Sequence, residues 1–296
     1  MKFQASQIII RPPVEAYSVL IPVTGGCSWN RCRFCGVYKN IQDYRIRPID
    51  EVLADVDHAA RQHPNHDSVF LAGGNPTSAP TDYLVKIIRH VRKKFEKVKR
   101  VSTYCKSLDI VKKTDDELRE LSEAGLNIVY MGLESGSNKV LKYMRKGTND
   151  KTAIQSAKRL MAAGIDVSLY VILGLGSYKW SDEHVSETAR VLTEINPTIF
   201  RFRTLNILKN APLWEDLQDG SYEIMKPVDV IRELRDIISL LGDNVTSEVY
   251  NDHVSNYVAF SSKNIKKDRE RIIGYLNRLL EDPDIQKLEP KYLQHM

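Results

Sequence analysis

Residues 16–40 read AYSVLIPVTGGCSWNRCRFCGVYKN, and this stretch decides the fold class. Its first part, Ala16–Val23, is a β-rich apolar run. From Thr24 to Pro48 no helical or strand period follows. A connection that long inside a compact domain is usually functional. Three of the chain's four cysteines, Cys27, Cys32 and Cys35, lie in it, within nine residues. A disulfide framework would spread its cysteines along a short secreted chain, so the clustering points to metal in a reducing compartment.

Downstream, the strand-then-connection pattern repeats. Further β-rich runs occur at Ser68–Leu71, Arg100–Tyr104, Asn127–Leu133, Asp166–Leu173 and Thr198–Asn206. Between them lie amphipathic, charged stretches at Asp50–Gln62, Thr81–Lys97, Asp115–Ala124, Lys151–Ala163 and Asp182–Glu194. This alternation implies βαβ units and a parallel sheet. Asp50 and Pro80-Thr81-Asp82 read as helix starts, and Gly125 and Gly164 as helix ends. Six units fall short of a complete barrel, so the expected class is α/β, a partial (β/α)6 TIM-like barrel. After Asn206 the pattern loosens, with helices at Val228–Leu241 and Lys266–Glu281. The expected organisation is a core over residues 1–210 and a mainly helical C-terminal extension over 211–296, packed on the barrel.

Composition sets the outer limits. The chain has 296 residues and a formal charge of 43 − 38 = +5, with 42% hydrophobic and 27% charged residues. That excludes wholesale disorder. The longest apolar stretch, Leu169–Gly176, is too short to cross a bilayer. The N-terminal MKFQASQIIIRPP is no secretory signal. A soluble, cytoplasmic protein with no membrane partner is expected. The mild charge permits an anionic partner without demanding one, and does not favour nucleic acid.

The cysteine loop has gaps of four and two residues. A two-residue gap lets two thiolates reach one metal centre from a tight turn. Three ligands from one loop can hold an iron–sulfur cluster whose fourth iron has no cysteine. Zinc is the rival, but structural zinc sites are closed by four ligands, and the next histidine, His58, is on a predicted helix. Three buried loop cysteines are the plain alternative.

On these residues the chain resembles the radical S-adenosylmethionine (SAM) superfamily, with Phe34 as the aromatic before the third cysteine. The family's usual first gap is three residues; here it is four. LAGGNPTSAP (residues 71–80) resembles the family's Gly-Gly-Glu-Pro turn, which binds the methionine amine of SAM. Gly73, Gly74 and Pro76 match, and Asn75 replaces the acid. GLESGSNKVLKYMRKGT (132–148) is similar to a segment of methylthiotransferases and oxygen-independent coproporphyrinogen oxidases. That likeness puts Glu134 and Ser135 at SAM and Lys146 at its carboxylate. Without it, Lys146 reads as a solvated helix-end lysine. SLYVILGLG (168–176) resembles the adenine-binding segment, with Ile172 and Gly174 as candidates, although any strand buried on both faces has such a run.

The resemblance implies a [4Fe–4S] cluster on Cys27, Cys32 and Cys35, SAM as cosubstrate, and an electron donor such as flavodoxin or ferredoxin. It implies a 5′-deoxyadenosyl radical that abstracts hydrogen from a small-molecule substrate. With Cys105 alone to spare, a second cysteine-ligated cluster is not expected. Nor is an N-terminal cobalamin domain or a trailing RNA-binding barrel. Cys105 either donates hydrogen to a substrate radical or packs. VYNDHVSNYVAF (249–260) offers Tyr250, His253, Asn256 and Tyr257 as a polar substrate pocket, or else is a turn and strand edge. RHVRKKFEKVKR (89–100), with seven basic residues in twelve, is a solvated face or a contact for RNA. The alternative function is an iron–sulfur accessory or RNA-binding module without SAM turnover.

Overall fold

The computed structural model describes residues 10–290. Residues 1–9, part of the stretch read as no secretory signal, lie outside the described residues. In chain order the elements are β1 (Val19–Pro22), β2 (Thr24–Gly25), β3 (Arg45–Ile46), α1 (Ile49–Gln62), β4 (Ser68–Ala72), α2 (Thr81–Lys94), β5 (Arg100–Cys105), α3 (Ser107–Ile110), α4 (Asp115–Ala124) and β6 (Ile128–Glu134). There follow α5 (Asn138–Tyr143), α6 (Asp150–Ala162), β7 (Asp166–Leu173), α7 (Ser181–Ile195), β8 (Ile199–Thr204), α8 (Leu213–Gln218), α9 (Pro227–Ser239), β9 (Glu248–Tyr250), β10 (Ser261–Ser262), α10 (Ile265–Leu280) and α11 (Pro283–Gln286).

Local chemistry explains the main elements. In α2, Leu84, Ile87, Ile88 and Val91 are buried at helical spacing and form one apolar face. Helix α4 has a capping box, with Thr114 and Glu117 each bonding the other's backbone N–H, and ends on left-handed Gly125. Strand β4 is buried throughout, as a parallel strand covered on both faces must be. Asp50 does not precede its helix: α1 starts at Ile49 after Pro48, without a side-chain cap, and Asp50 sits in the first turn. There its charge suits the positive end of the helix dipole.

The chain forms two compact units. Among the described residues, the first comprises 10–30, Val37–Met131 and Gln155–Val167. Its strands run β1-β4-β5-β6, all parallel. At their entry end, fully buried Glu15 accepts hydrogen bonds from Ser18, Ser102, Tyr130 and Arg100. A carboxylate is tolerated in such a place only with donors of this kind.

Among the described residues, the second unit comprises Arg31–Gly36, Gly132–Ile154 and 168–290. Strands β7, β8 and β9 are parallel, and β10 adds antiparallel to β9. The register pairs Tyr170 with Arg201, Ile172 with Arg203, and Arg201 with Tyr250. Alternation along β8 puts Phe200 and Phe202, both fully buried, on one side and Arg201 and Arg203 on the other. Strand β9 is one more parallel strand than the sequence reading counted, and its three residues are too few for a periodic signal. Neither run of four strands closes on itself.

Candidate functional site

The first half of the cysteine loop is built in the first unit. Residues Thr24 and Gly25 pair with Ile46 and Arg45, which ties together the two ends of the long connection. The turn after β4 then passes directly beneath Cys27. The Gly74 N–H donates to Gly26 O at 3.0 Å. A Cβ on Gly74 would lie 2.4 Å from Gly26 O and 2.9 Å from Cys27 Cα. Gly73 has φ +137°, and a Cβ there would meet Thr24 O at 2.5 Å. The glycine pair is therefore required by close backbone approach.

Asn75, 2% exposed, uses its amide as a bridge. Its Nδ2 donates to Ser28 Oγ at 2.7 Å and to Asp109 on α3, and its Oδ1 accepts from Thr77 at 3.0 Å. A carboxylate could donate to neither and would face Asp109 with like charge. The departure from the family's acid thus has a partner in this chain. Pro76 opens the 3₁₀ turn that follows. Cys105 closes β5 as a buried thiol. Burial pushes its pKa up to about 12, a hydrogen bond with Thr77 works against that, and the Asp109 charge adds to it. No thiolate chemistry follows at neutral pH.

The second half of the loop is held in the second unit. Cys35 N–H closes a tight turn onto Cys32 O at 3.4 Å. Arg33 N–H donates to Met144 O, and Leu213 N–H to Arg33 O, each at 2.9 Å. The Arg33 guanidinium pairs with Asp216 and lies 4.5 Å from the Tyr143 ring centre; Tyr143 Oη also donates to Asp216, at 2.9 Å. Asn210 Nδ2 donates to Gly36 O at 2.6 Å. Phe34 packs against a buried cluster containing Val140, Met144, Leu175 and Leu213. Sequence reading missed Arg33, Tyr143, Asn210 and Asp216, because partners up to 183 residues apart leave no spacing signal.

At the end of β6, Glu134 has φ +64°. Lys146 Nζ donates to its Oε1 at 2.6 Å, the two side chains being 14% and 11% exposed. Lys146 is therefore not a solvated helix-end lysine. Its Nζ also stands 5.9 Å from the Phe34 ring centre. Gly132 makes room for the pair, since a Cβ there would meet Glu134 Oε1 at 1.9 Å. Ser135 Oγ contacts His184 Nδ1 at 2.8 Å and accepts from Ser137 N–H at 3.0 Å.

Beyond β7, Gly174 adopts φ +77°. Its N–H donates to Glu233 at 2.6 Å and its carbonyl accepts from Tyr222 Oη at 2.7 Å. Ser181 also donates to Glu233, at 2.6 Å. Burial raises the Glu233 pKa to about 7 and lowers that of His184 to about 4. Their 4.0 Å approach is consequently not an ion pair near neutral pH. Ile172 lies beside Arg203 in the sheet register.

The C-terminal candidates divide. Asn256 accepts from Thr204 N–H at 2.8 Å and donates to Phe202 O and Asn251 Oδ1, so its amide is spent on the end of β8. Tyr250 donates to Glu248, accepts from Lys263 and has Arg201 4.1 Å from its ring centre. His253 Nδ1 accepts from Ser255 N–H at 3.1 Å. Burial, then the Arg203 charge, lowers its pKa to about 4, so it is neutral. Tyr257 is half-buried. In the basic run, Arg92 bonds Val98 O and Gly125 O, Lys94 pairs with Asp57, Arg89 with Glu120 and Arg100 with Glu15. Much of that charge is engaged within the chain.

None of the four cysteines is in a disulfide, and Cys27, Cys32 and Cys35 are partly exposed. Among the described residues, no three His, Cys, Asp or Glu side chains converge as on one metal ion. An iron–sulfur cluster differs, because each thiolate takes its own iron. The donor set of three thiols thus fits a cluster better than a mononuclear zinc. No helix among the described residues is long and apolar enough to cross a membrane.

The radical SAM superfamily model matches residues 21–192. Anaerobilin synthase of Escherichia coli O157:H7 is 23% identical over 208 residues, covering 67% of this chain and 45% of that protein. The ribosomal protein uS12 methylthiotransferase of Clostridium botulinum (strain Okra / Type B1) is 20% identical over 274 residues, covering 90% of this chain and 58% of that protein. The chain thus spans about half the length of these relatives. The structure of coproporphyrinogen III oxidase from Escherichia coli, described as a radical SAM enzyme, aligns with TM-score 0.59 and 17% identity, over 75% of this chain and 52% of that one. That likeness shows the expected fold, α/β of the partial-barrel class.

Proposed function

From the premise that this chain belongs to the radical SAM superfamily, we propose that it is an enzyme that cleaves SAM reductively and abstracts hydrogen from a small-molecule substrate. The observation that carries this reading is the close packing of Gly73 against Thr24 and of Gly74 against Gly26 and Cys27, with Asn75 tied to Ser28. It joins the second family motif physically to the first.

Cys27, Cys32 and Cys35 would hold a [4Fe–4S] cluster. When bound, that cluster supplies the electron whose delivery to SAM yields the 5′-deoxyadenosyl radical. The chain's own residues bind and orient. Lys146 and Glu134 offer a cation and an anion 2.6 Å apart, the reverse of the charges on a zwitterionic methionine end. Ser135 lies next to Glu134, Gly74 and Asn75 border the cysteine loop, and Phe34 anchors that loop to the cluster around Val140, Met144 and Leu213. Ile172 presents apolar surface to the adenine, and Gly174, its backbone held by Glu233 and Tyr222, shapes the turn beside it. Arg33, Asp216 and Tyr143 fix the backbone between Cys32 and Cys35. A flavodoxin or ferredoxin would serve as electron donor in a cytoplasmic setting, with residues 1–210 as the core and 211–296 as its extension.

Anaerobic reconstitution tests it. The chain should bind about four irons, and Cys27→Ala, Cys32→Ala or Cys35→Ala should each abolish the brown chromophore. Reduced protein given SAM should release 5′-deoxyadenosine. Stoichiometric zinc without iron would overturn the reading, as would RNA retention with no SAM cleavage.

A further inference from the structure

Arg201 and Arg203 project from one face of β8, beside Tyr170 of β7 and Tyr250 of β9. Arg201 is only 7% exposed. Its guanidinium lies 4.1 Å from the Tyr250 ring centre, and that of Arg203 lies 4.7 Å from the Tyr170 ring centre. Ring faces hold guanidinium planes while leaving their N–H edges uncovered. The Nε of each arginine is shielded from solvent and has no hydrogen-bond partner among the described residues. Asp252 lies 3.5 Å from Arg201 and is 57% exposed. Glu248, the next acid along, is engaged by Tyr250 and Lys263. His253 stands neutral within the field of Arg203. Two guanidiniums thus lie on one side of β8, each with a solvent-shielded Nε–H that nothing among the described residues accepts, an arrangement that is costly unless a ligand completes it.

We propose that Arg201 and Arg203 form a binding site for the oxyanion group, carboxylate or phosphate, of the substrate. Residues two apart on a strand lie about 6.6 Å apart along it, and side chains of this length can converge on one oxyanion. The planar fork suits bidentate contact. The site is oriented toward the chemistry by Ile172, the register partner of Arg203. That link rests on the radical SAM reading, in which Ile172 borders the adenine.

The test uses the anaerobically reconstituted full chain, with inorganic phosphate and succinate as probes in titration calorimetry. One probe should bind saturably, and which one binds tighter assigns the group as phosphate or carboxylate. Arg203→Met should weaken it at least tenfold, Arg203→Lys less, and the exposed Arg61→Met not at all. On the wild-type chain, the bound probe should also protect Arg201 and Arg203 from phenylglyoxal, mapped by mass spectrometry, a readout that needs no variant to fold. Absence of saturable binding, unchanged affinity in a folded Arg203→Met, or failure of protection would overturn the proposal. Iron content and SAM binding are read on the same samples. Their absence in the wild type would strike the radical SAM reading, whereas their presence without oxyanion binding would strike this one alone.

Discussion

Lys146 and Cys105 illustrate what one side chain adds to a motif. Lys146 pairs with Glu134, and a charge-assisted bond from it to the SAM carboxylate would be worth about 1.5–3 kcal/mol. Lys146→Ala should weaken SAM binding by roughly tenfold to a hundredfold with iron content intact. Unchanged affinity in a SAM titration would confine the lysine to its partnership with Glu134. Cys105 is buried at the end of β5, so packing is its expected role. Cys105→Ala should retain cluster and SAM cleavage and cost about 1 kcal/mol of stability in urea unfolding. A variant that still made 5′-deoxyadenosine but never completed turnover would make it the hydrogen donor instead. The cysteines, the glycine pair and Glu134 were legible because each belongs to a local pattern. The role of Asn75 was only half legible: its change of charge was visible, but its bridge from Ser28 to Asp109 joins segments 34 residues apart on one side.

The elements with long apolar periods, such as α1, α2, α4 and α7, matched the sequence reading to within a few residues. Helices α5 and α8, with six residues each, carry less than two turns of pattern. Tertiary contacts, not periodicity, stabilise pieces that short. Two glycines separate packing from propensity at this scale. Gly74→Ala would put a Cβ against the backbone of Gly26 and Cys27, where no rotamer can relieve it. The variant should lose cluster loading, and full iron content would show that the turn can shift without harm. Gly274, inside α10, has only the end of the Arg278 side chain near its absent Cβ, at 3.7 Å. Gly274→Ala should therefore stabilise the chain by about 0.5–1 kcal/mol, seen as a higher urea midpoint.

For the molecule as a whole, pH acts through two buried groups whose contributions oppose each other. Between pH 6.5 and about 4 the unfolded chain protonates at His184 while the folded chain does not, so stability falls as pH falls. Between pH 4.5 and about 7 the folded chain keeps the Glu233 proton that the unfolded chain releases, so stability falls as pH rises. The slopes offset each other from pH 6.5 down to 4.5. Glu233→Gln keeps an acceptor for Gly174 and removes one of them. The variant should lose about 1 kcal/mol per pH unit relative to wild type across that range. Parallel urea-midpoint profiles would refute this assignment. Such pairings, like that of Arg33 with Asp216, depend on which distant segments meet, and no local reading reveals them. A last consequence comes from β10, two residues long and followed at once by Lys263. A sheet margin so short, with a cation beside it, offers little free backbone for another chain to extend. Crowded or concentrated samples are thus shielded from edge-to-edge aggregation at that margin.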